Sequence, residues 1–106
     1  LSTDGLTNFV DTTVMRHIVN GDIVYIKGTD INVVAGHAWI IDGGYFCWAN
    51  EEKGVMNTPY LHCEWGWNGE HNGYYLGRVI SVTDRYLFSV NGYRFTKLKY
   101  FAVGKN

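Results

Sequence analysis

The chain has 106 residues and a mass of 12.1 kDa, the size of one small domain or one part of a larger one. Hydrophobic residues make up 46% and charged residues 18%, enough apolar matter for a core and too much for a disordered chain. Nine Lys+Arg against ten Asp+Glu leave a net charge of −1, so there is no basic excess to hold a phosphate backbone and nucleic acid is not an expected partner.

The first predicted element is a helix. Leu6, Phe9, Val10, Val14 and Ile18 recur at spacings of three and four, with Ser2, Thr3 and Asp4 as candidate N-caps and Asn20-Gly21 as the stop. Asp22 to Lys27 is a β-branched and aromatic run closed by Gly28, so it reads as a strand, with a loop over 29–32. Val33 to Ile41 is the next strand, and Asp42-Gly43-Gly44 is a turn signal. Strands then follow at Tyr45 to Ala49 and Tyr60 to Trp67, joined by the polar stretch from Asn50 to Pro59. A glycine-rich segment over 66–73 leads to strands at 74–82, 86–90 and 94–103. Asn91-Gly92 between the last two is the strongest hairpin signal in the chain. The expected class is α+β and mostly antiparallel: one N-terminal helix packed on a curved sheet or partial barrel.

No apolar run is long enough to span a bilayer, and nothing at the start reads as a signal peptide. Cys47 and Cys63 are too few for a disulfide scaffold and do not have zinc-ribbon spacing. If the strands at 45–49 and 60–67 form a hairpin centred near Val55, the two cysteines fall opposite each other, where a cross-strand disulfide would fit. Otherwise they are inert buried thiols.

Four histidines are candidates for chemistry. His17 lies near the helix end, where a cation complements the macrodipole, and His71 sits in a polar glycine-rich loop. His37 differs from both. It follows Gly36 and enters the apolar strand Ala38-Trp39-Ile40-Ile41, where an imidazole needs a partner or a purpose. In Leu61-His62-Cys63-Glu64-Trp65, period-two alternation sets His62 and Glu64 on one face and Leu61, Cys63 and Trp65 on the other. That alternation argues against a metal site built from His62, Cys63, Glu64 and Cys47. No residue pattern calls for a cofactor.

Gly36-His37-Ala38-Trp39-Ile40-Ile41-Asp42-Gly43, then His62-Cys63-Glu64-Trp65-Gly66-Trp67-Asn68-Gly69, then Asn72-Gly73-Tyr74-Tyr75 resembles the C-terminal half of the streptopain family of cysteine peptidases. The likeness covers roughly Ile18 to Tyr75 in motif detail. It implies that residues 1–106 are a single unit, the β-rich, histidine-bearing half of a papain-like peptidase domain, as a processed chain or a truncated gene product. It implies that His37 is the general base, that Trp65 packs against its imidazole, and that Glu64 stands where the family carries asparagine. A carboxylate there would orient the ring as aspartate does in serine hydrolases and would favour the imidazolium. The nucleophilic cysteine and the oxyanion donors would lie upstream, because Cys47 and Cys63 fall in aromatic strands rather than at a helix N-terminus.

The implied partners are a protein or peptide substrate and the half that holds the nucleophile. The implied location is secreted or cell-envelope. The chain alone is expected to be inactive, and its unpaired face to favour self-association. The competing reading is a non-catalytic module in which Trp39, Trp48, Trp65 and Trp67 form a platform for sugar or peptide.

Overall fold

The computed structural model describes residues 6–30, 36–56, 59–76 and 88–104. Its elements are β1 (Thr7–Asn8), α1 (Asp11–Val19), β2 (Ile23–Asp30), β3 (Gly36–Tyr45), β4 (Trp48–Asn50), β5 (Val55–Met56), β6 (Tyr60–Glu64), β7 (Gly73–Leu76), β8 (Phe88–Val90) and β9 (Tyr93–Val103). The main sheet is antiparallel throughout, in the order β1-β9-β2-β3-β6-β7, with β8 also paired to β9. It is an open sheet rather than a partial barrel, and the fold is α+β. No helix of the described residues is long and apolar enough to cross a membrane.

The helix is shorter than its periodicity suggests. Thr7 and Asn8 pair with Tyr100 and Lys99 of β9, and the Phe9 N–H donates to the Leu98 carbonyl at 3.0 Å. An unpaired strand edge captures this segment as strand before the helix begins. Phe9 still reaches the core, edge-on to Phe88 and Tyr100, but from the segment ahead of the helix. Val10 is the N-cap, in extended conformation with no side-chain cap, while the proposed caps Ser2, Thr3 and Asp4 lie outside the described residues.

The predicted stop behaves as expected. Gly21 takes φ 86°, the Gly21 N–H donates to Ile18 and the Asp22 N–H to His17, the paired bonds of a Schellman motif.

Two glycine signals resolve differently from expectation. β2 continues through Gly28 to Asp30, because a residue without a side chain is needed beneath Leu98: a Cβ on Gly28 would stand 2.7 Å from Leu98 Cδ2. Asp42-Gly43-Gly44 is not a turn, since β3 runs through it to Tyr45 with a bulge between Ile41 and Gly43. A Cβ on Gly44 would meet the Tyr60 carbonyl at 2.8 Å and Met15 Sδ at 3.0 Å, so the glycine lets α1 approach the sheet. Asn91-Gly92 does form the expected tight turn, with φ 47° and 81° at its two central residues.

The predicted pairing of the cysteine strands does not form. Tyr45 pairs with Tyr60 and Ile41 with Cys63, while Trp48 pairs with Met56 in a separate two-stranded ribbon. Cys47 lies between β3 and β4, exposed rather than buried in a strand, and Cys63 is buried; both thiols are free.

One face of the sheet makes the core. Val24 and Ile26 of β2, Trp39 and Ile41 of β3, Leu61 and Cys63 of β6, and Tyr100 of β9 all point to it, covered by Val14 and Met15 of α1. The opposite face keeps Tyr25, Tyr60, Tyr74 and Val103 exposed.

Candidate functional site

His37 is the second residue of β3, paired to Gly28 across the sheet, and is half-buried. It shares the core face with Trp39 and Ile41, because alternation puts every second residue on the same side. Four rings lie nearly parallel to its imidazole: Trp67 at 5.0 Å between centroids, Phe95 at 5.7 Å, Trp39 at 6.1 Å and Trp65 at 6.4 Å. Sequence reasoning placed Trp65 beside the histidine. It missed Trp67, which is nearer, and Phe95, which arrives from β9. The Trp-Gly-Trp spacing was the available signal: Gly66 at φ 82° turns the chain after β6, so the Trp65 and Trp67 rings stack at 5.6 Å and 12°.

The imidazole is oriented by backbone. His37 Nε2 lies 3.0 Å from the Trp65 carbonyl oxygen. A carbonyl only accepts, so Nε2 carries the proton and the neutral ring keeps its lone pair on Nδ1. Trp65 is itself anchored, since its N–H donates to Asn72 Oδ1 at 3.0 Å and its side chain is 1% exposed. Asn72, in the loop before β7, was not singled out from the sequence as a member of the site.

Glu64 is not brought to His37. It pairs with Ile40, on the opposite face of the sheet from His37, Trp39 and Ile41. There it meets Asp42, whose carboxylate also accepts from His62 Nδ1 at 2.6 Å. The hydrogen bond with Asp42, and the Asp42 charge after it, raise the Glu64 carboxyl above its ordinary value, against a smaller opposite pull from His62. The orienting role expected of a side chain at position 64 therefore falls to the carbonyl of position 65.

The remaining candidates lie apart from His37. His17 sits in the last turn of α1 with Nδ1 3.0 Å from Asp22 Oδ2, and His71 is exposed. Burial pushes the Cys63 thiol far up, the Trp39 side chain beside it easing this slightly and the Asp42 charge adding to it. Cys47 lies beyond the far end of β3, and the eight steps from His37 to Tyr45 span about 26 Å of strand. Among the described residues no group of three or more His, Cys, Asp or Glu converges as a metal site. Nor do the tryptophans make a platform: Trp39 and Trp65 are buried, Trp67 packs partly on the core, and Trp48 is 44% exposed.

Of the neighbours that the streptopain likeness implies for His37, the ring of Trp65 lies beside the imidazole and Glu64 does not. The model of the peptidase C10 family matches residues 2–75. The chain belongs to the peptidase C10 family, the streptopain family. No curated protein and no solved structure matches it. The C10 match runs from before β1 through most of β7 and includes His37 in β3 and Trp65 and Asn72 in the segment between β6 and β7.

Proposed function

We propose that this C10 peptidase chain is the histidine-bearing portion of a cysteine endopeptidase, with His37 as the general base. The single observation that carries this is the bond from His37 Nε2–H to the Trp65 carbonyl, because it leaves Nδ1 as the nitrogen able to take a proton. In the reaction, Nδ1 accepts the thiol proton of the nucleophile, and the thiolate attacks the substrate carbonyl. The imidazolium then gives that proton to the leaving amine, and water, deprotonated by the same nitrogen, releases the acyl group. While His37 is charged, its ring lies against the π face of Trp67, which attracts a cation. Trp65 acts by packing and through its carbonyl, and Glu64 is left out of the site.

The nucleophile and the oxyanion donors come from a segment outside these 106 residues. Cys63 is buried and Cys47 is distant along β3 from the imidazole. On this reading residues 1–106 act as one unit, the partner is the segment carrying the nucleophile, the substrate is a protein, and the enzyme works outside the cytoplasm. The test is hydrolysis of unfolded casein by the chain mixed with the upstream part of the same polypeptide. Activity that appears only in the mixture and is lost with His37→Ala supports the reading. Activity that survives His37→Ala overturns it.

A further inference from the structure

At the His37 end of β3 lies an open cleft of about 320 Å³ whose walls include Lys27, Thr29, Ala38 and Lys97, with Lys27 and Ala38 on the face of the sheet opposite the imidazole. Among the described residues two cations line it and no carboxylate does. The ion pairs of the described residues, His17 with Asp22 and His62 with Asp42, engage neither lysine. Two ammonium groups in one concavity, neither in an ion pair among the described residues, focus a positive potential where a ligand would enter.

Lys97 is there at a conformational cost. The register of β9 on β2 passes from Lys27↔Lys99 to Thr29↔Thr96, so Lys97 and Leu98 together oppose the single residue Gly28. Leu98 is buried against Gly28, while Lys97 is exposed at φ 55°. Glycine or asparagine occupies that region with less strain than a residue bearing a long side chain. A lysine placed where the backbone favours glycine points to use of its charge.

The cleft also continues. An apolar groove of about 140 Å³ shares Lys27 and Ala38 with it, and the stacked rings of Tyr25 and Phe101, 5.0 Å apart, line that groove.

We propose that the cleft at the His37 end of β3 selects an acidic side chain of an extended peptide, its carboxylate held between Lys27 and Lys97, with a neighbouring apolar side chain over Tyr25 and Phe101. That the peptide is a substrate rests on the peptidase reading. The charge preference belongs to this chain alone.

The experiment titrates the 106-residue chain, followed by NMR, with a blocked pentapeptide carrying glutamate beside leucine, and with the same peptide carrying glutamine. The glutamate peptide binds about fivefold more tightly at low salt, the scale of an exposed ion pair, and moves the Lys27 and Lys97 signals. The preference disappears near ~1 M salt, where the Debye length is about 3 Å. Lys97→Gly, which relieves the backbone and removes the charge, lowers the preference without loss of folding, and combined with Lys27→Gln it abolishes it. Equal binding of the two peptides, binding of neither, or a preference that survives the double substitution overturns the proposal.

Failure of the peptidase reading shows separately. The nucleophile-bearing mixture would then hydrolyse nothing while the charge preference stood. A failed cleft in a true peptidase would instead give hydrolysis indifferent to glutamate or glutamine.

Discussion

His37 owes its position to three separate contacts: Gly28 across the sheet, the Trp65 carbonyl on Nε2 and the Trp67 ring on its face. Glu64 owes its behaviour to Asp42 on the other face, and the two can be told apart. The Glu64→Gln substitution should leave the His37 ring resonances unmoved in an NMR titration and shift those of His62, since only His62 shares Asp42 with it. A shift at His37 equal to that at His62 would return Glu64 to the site. The same group sets a pH dependence. Its carboxyl is raised in the fold above the ordinary 4.5, so the folded chain holds that proton more tightly than the unfolded one. This contribution is present in full below the unfolded value and is lost as pH rises through the folded value. Melting followed from pH ~4 upward should therefore show a decline in the parent chain that is absent in Glu64→Gln. Cysteine reactivity divides along the same lines of exposure. Alkylation of the native chain should add one group, at Cys47, because Cys63 is buried and its thiol is held protonated; after unfolding, mass measurement should find two.

At the scale of elements, α1 lies close against β3. Gly44 lies beneath Met15 with the Tyr60 carbonyl beside it, leaving no room for a methyl group. Gly44→Ala should destabilise the chain by about 1–3 kcal/mol, read from the denaturant midpoint, because a backbone oxygen cannot step aside as a side-chain end can. The bulge in β9 gives the converse case. Lys97→Gly should stabilise the chain or leave it unchanged, since relief of φ 55° offsets the extra freedom of glycine in the unfolded state.

For the whole molecule, the open sheet leaves Tyr25, Tyr60, Tyr74 and Val103 exposed on the face that α1 does not cover, and a cleft lies at the His37 end of β3. The chain alone should not hydrolyse peptide bonds, because no thiol in it approaches His37 Nδ1. Cys47→Ala and Cys63→Ala should each leave the activity of the mixture with the nucleophile-bearing segment unchanged. Activity from the purified chain by itself, removed by Cys47→Ala, would show the nucleophile to be here. Sedimentation over a range of concentrations should show self-association through the apolar face, and a strict monomer at the highest concentration would exclude it.

Sequence alone determined what depends on short range. The Asn91-Gly92 turn, the Asn20-Gly21 helix stop and the facing of Leu61, Cys63 and Trp65 away from His62 and Glu64 follow from φ preference and period-two alternation, which need no distant partner. His37 stood out because an imidazole entering an apolar strand carries a desolvation cost wherever that strand packs. Only the tertiary structure decided the rest. Leu6 to Val10 carried a helical pattern, yet the bare edge of β9 drew that stretch into strand pairing. Asp42-Gly43-Gly44 carried a turn pattern, yet its glycines admit Met15 and a bulge. Glu64 stood in the orienting position of the motif, yet the pairing of Ile40 with Glu64 sends its side chain through to the other face and leaves a backbone carbonyl to hold the imidazole. Backbone acceptors have no letter in a sequence, and which carbonyl meets which ring is set by strand register alone.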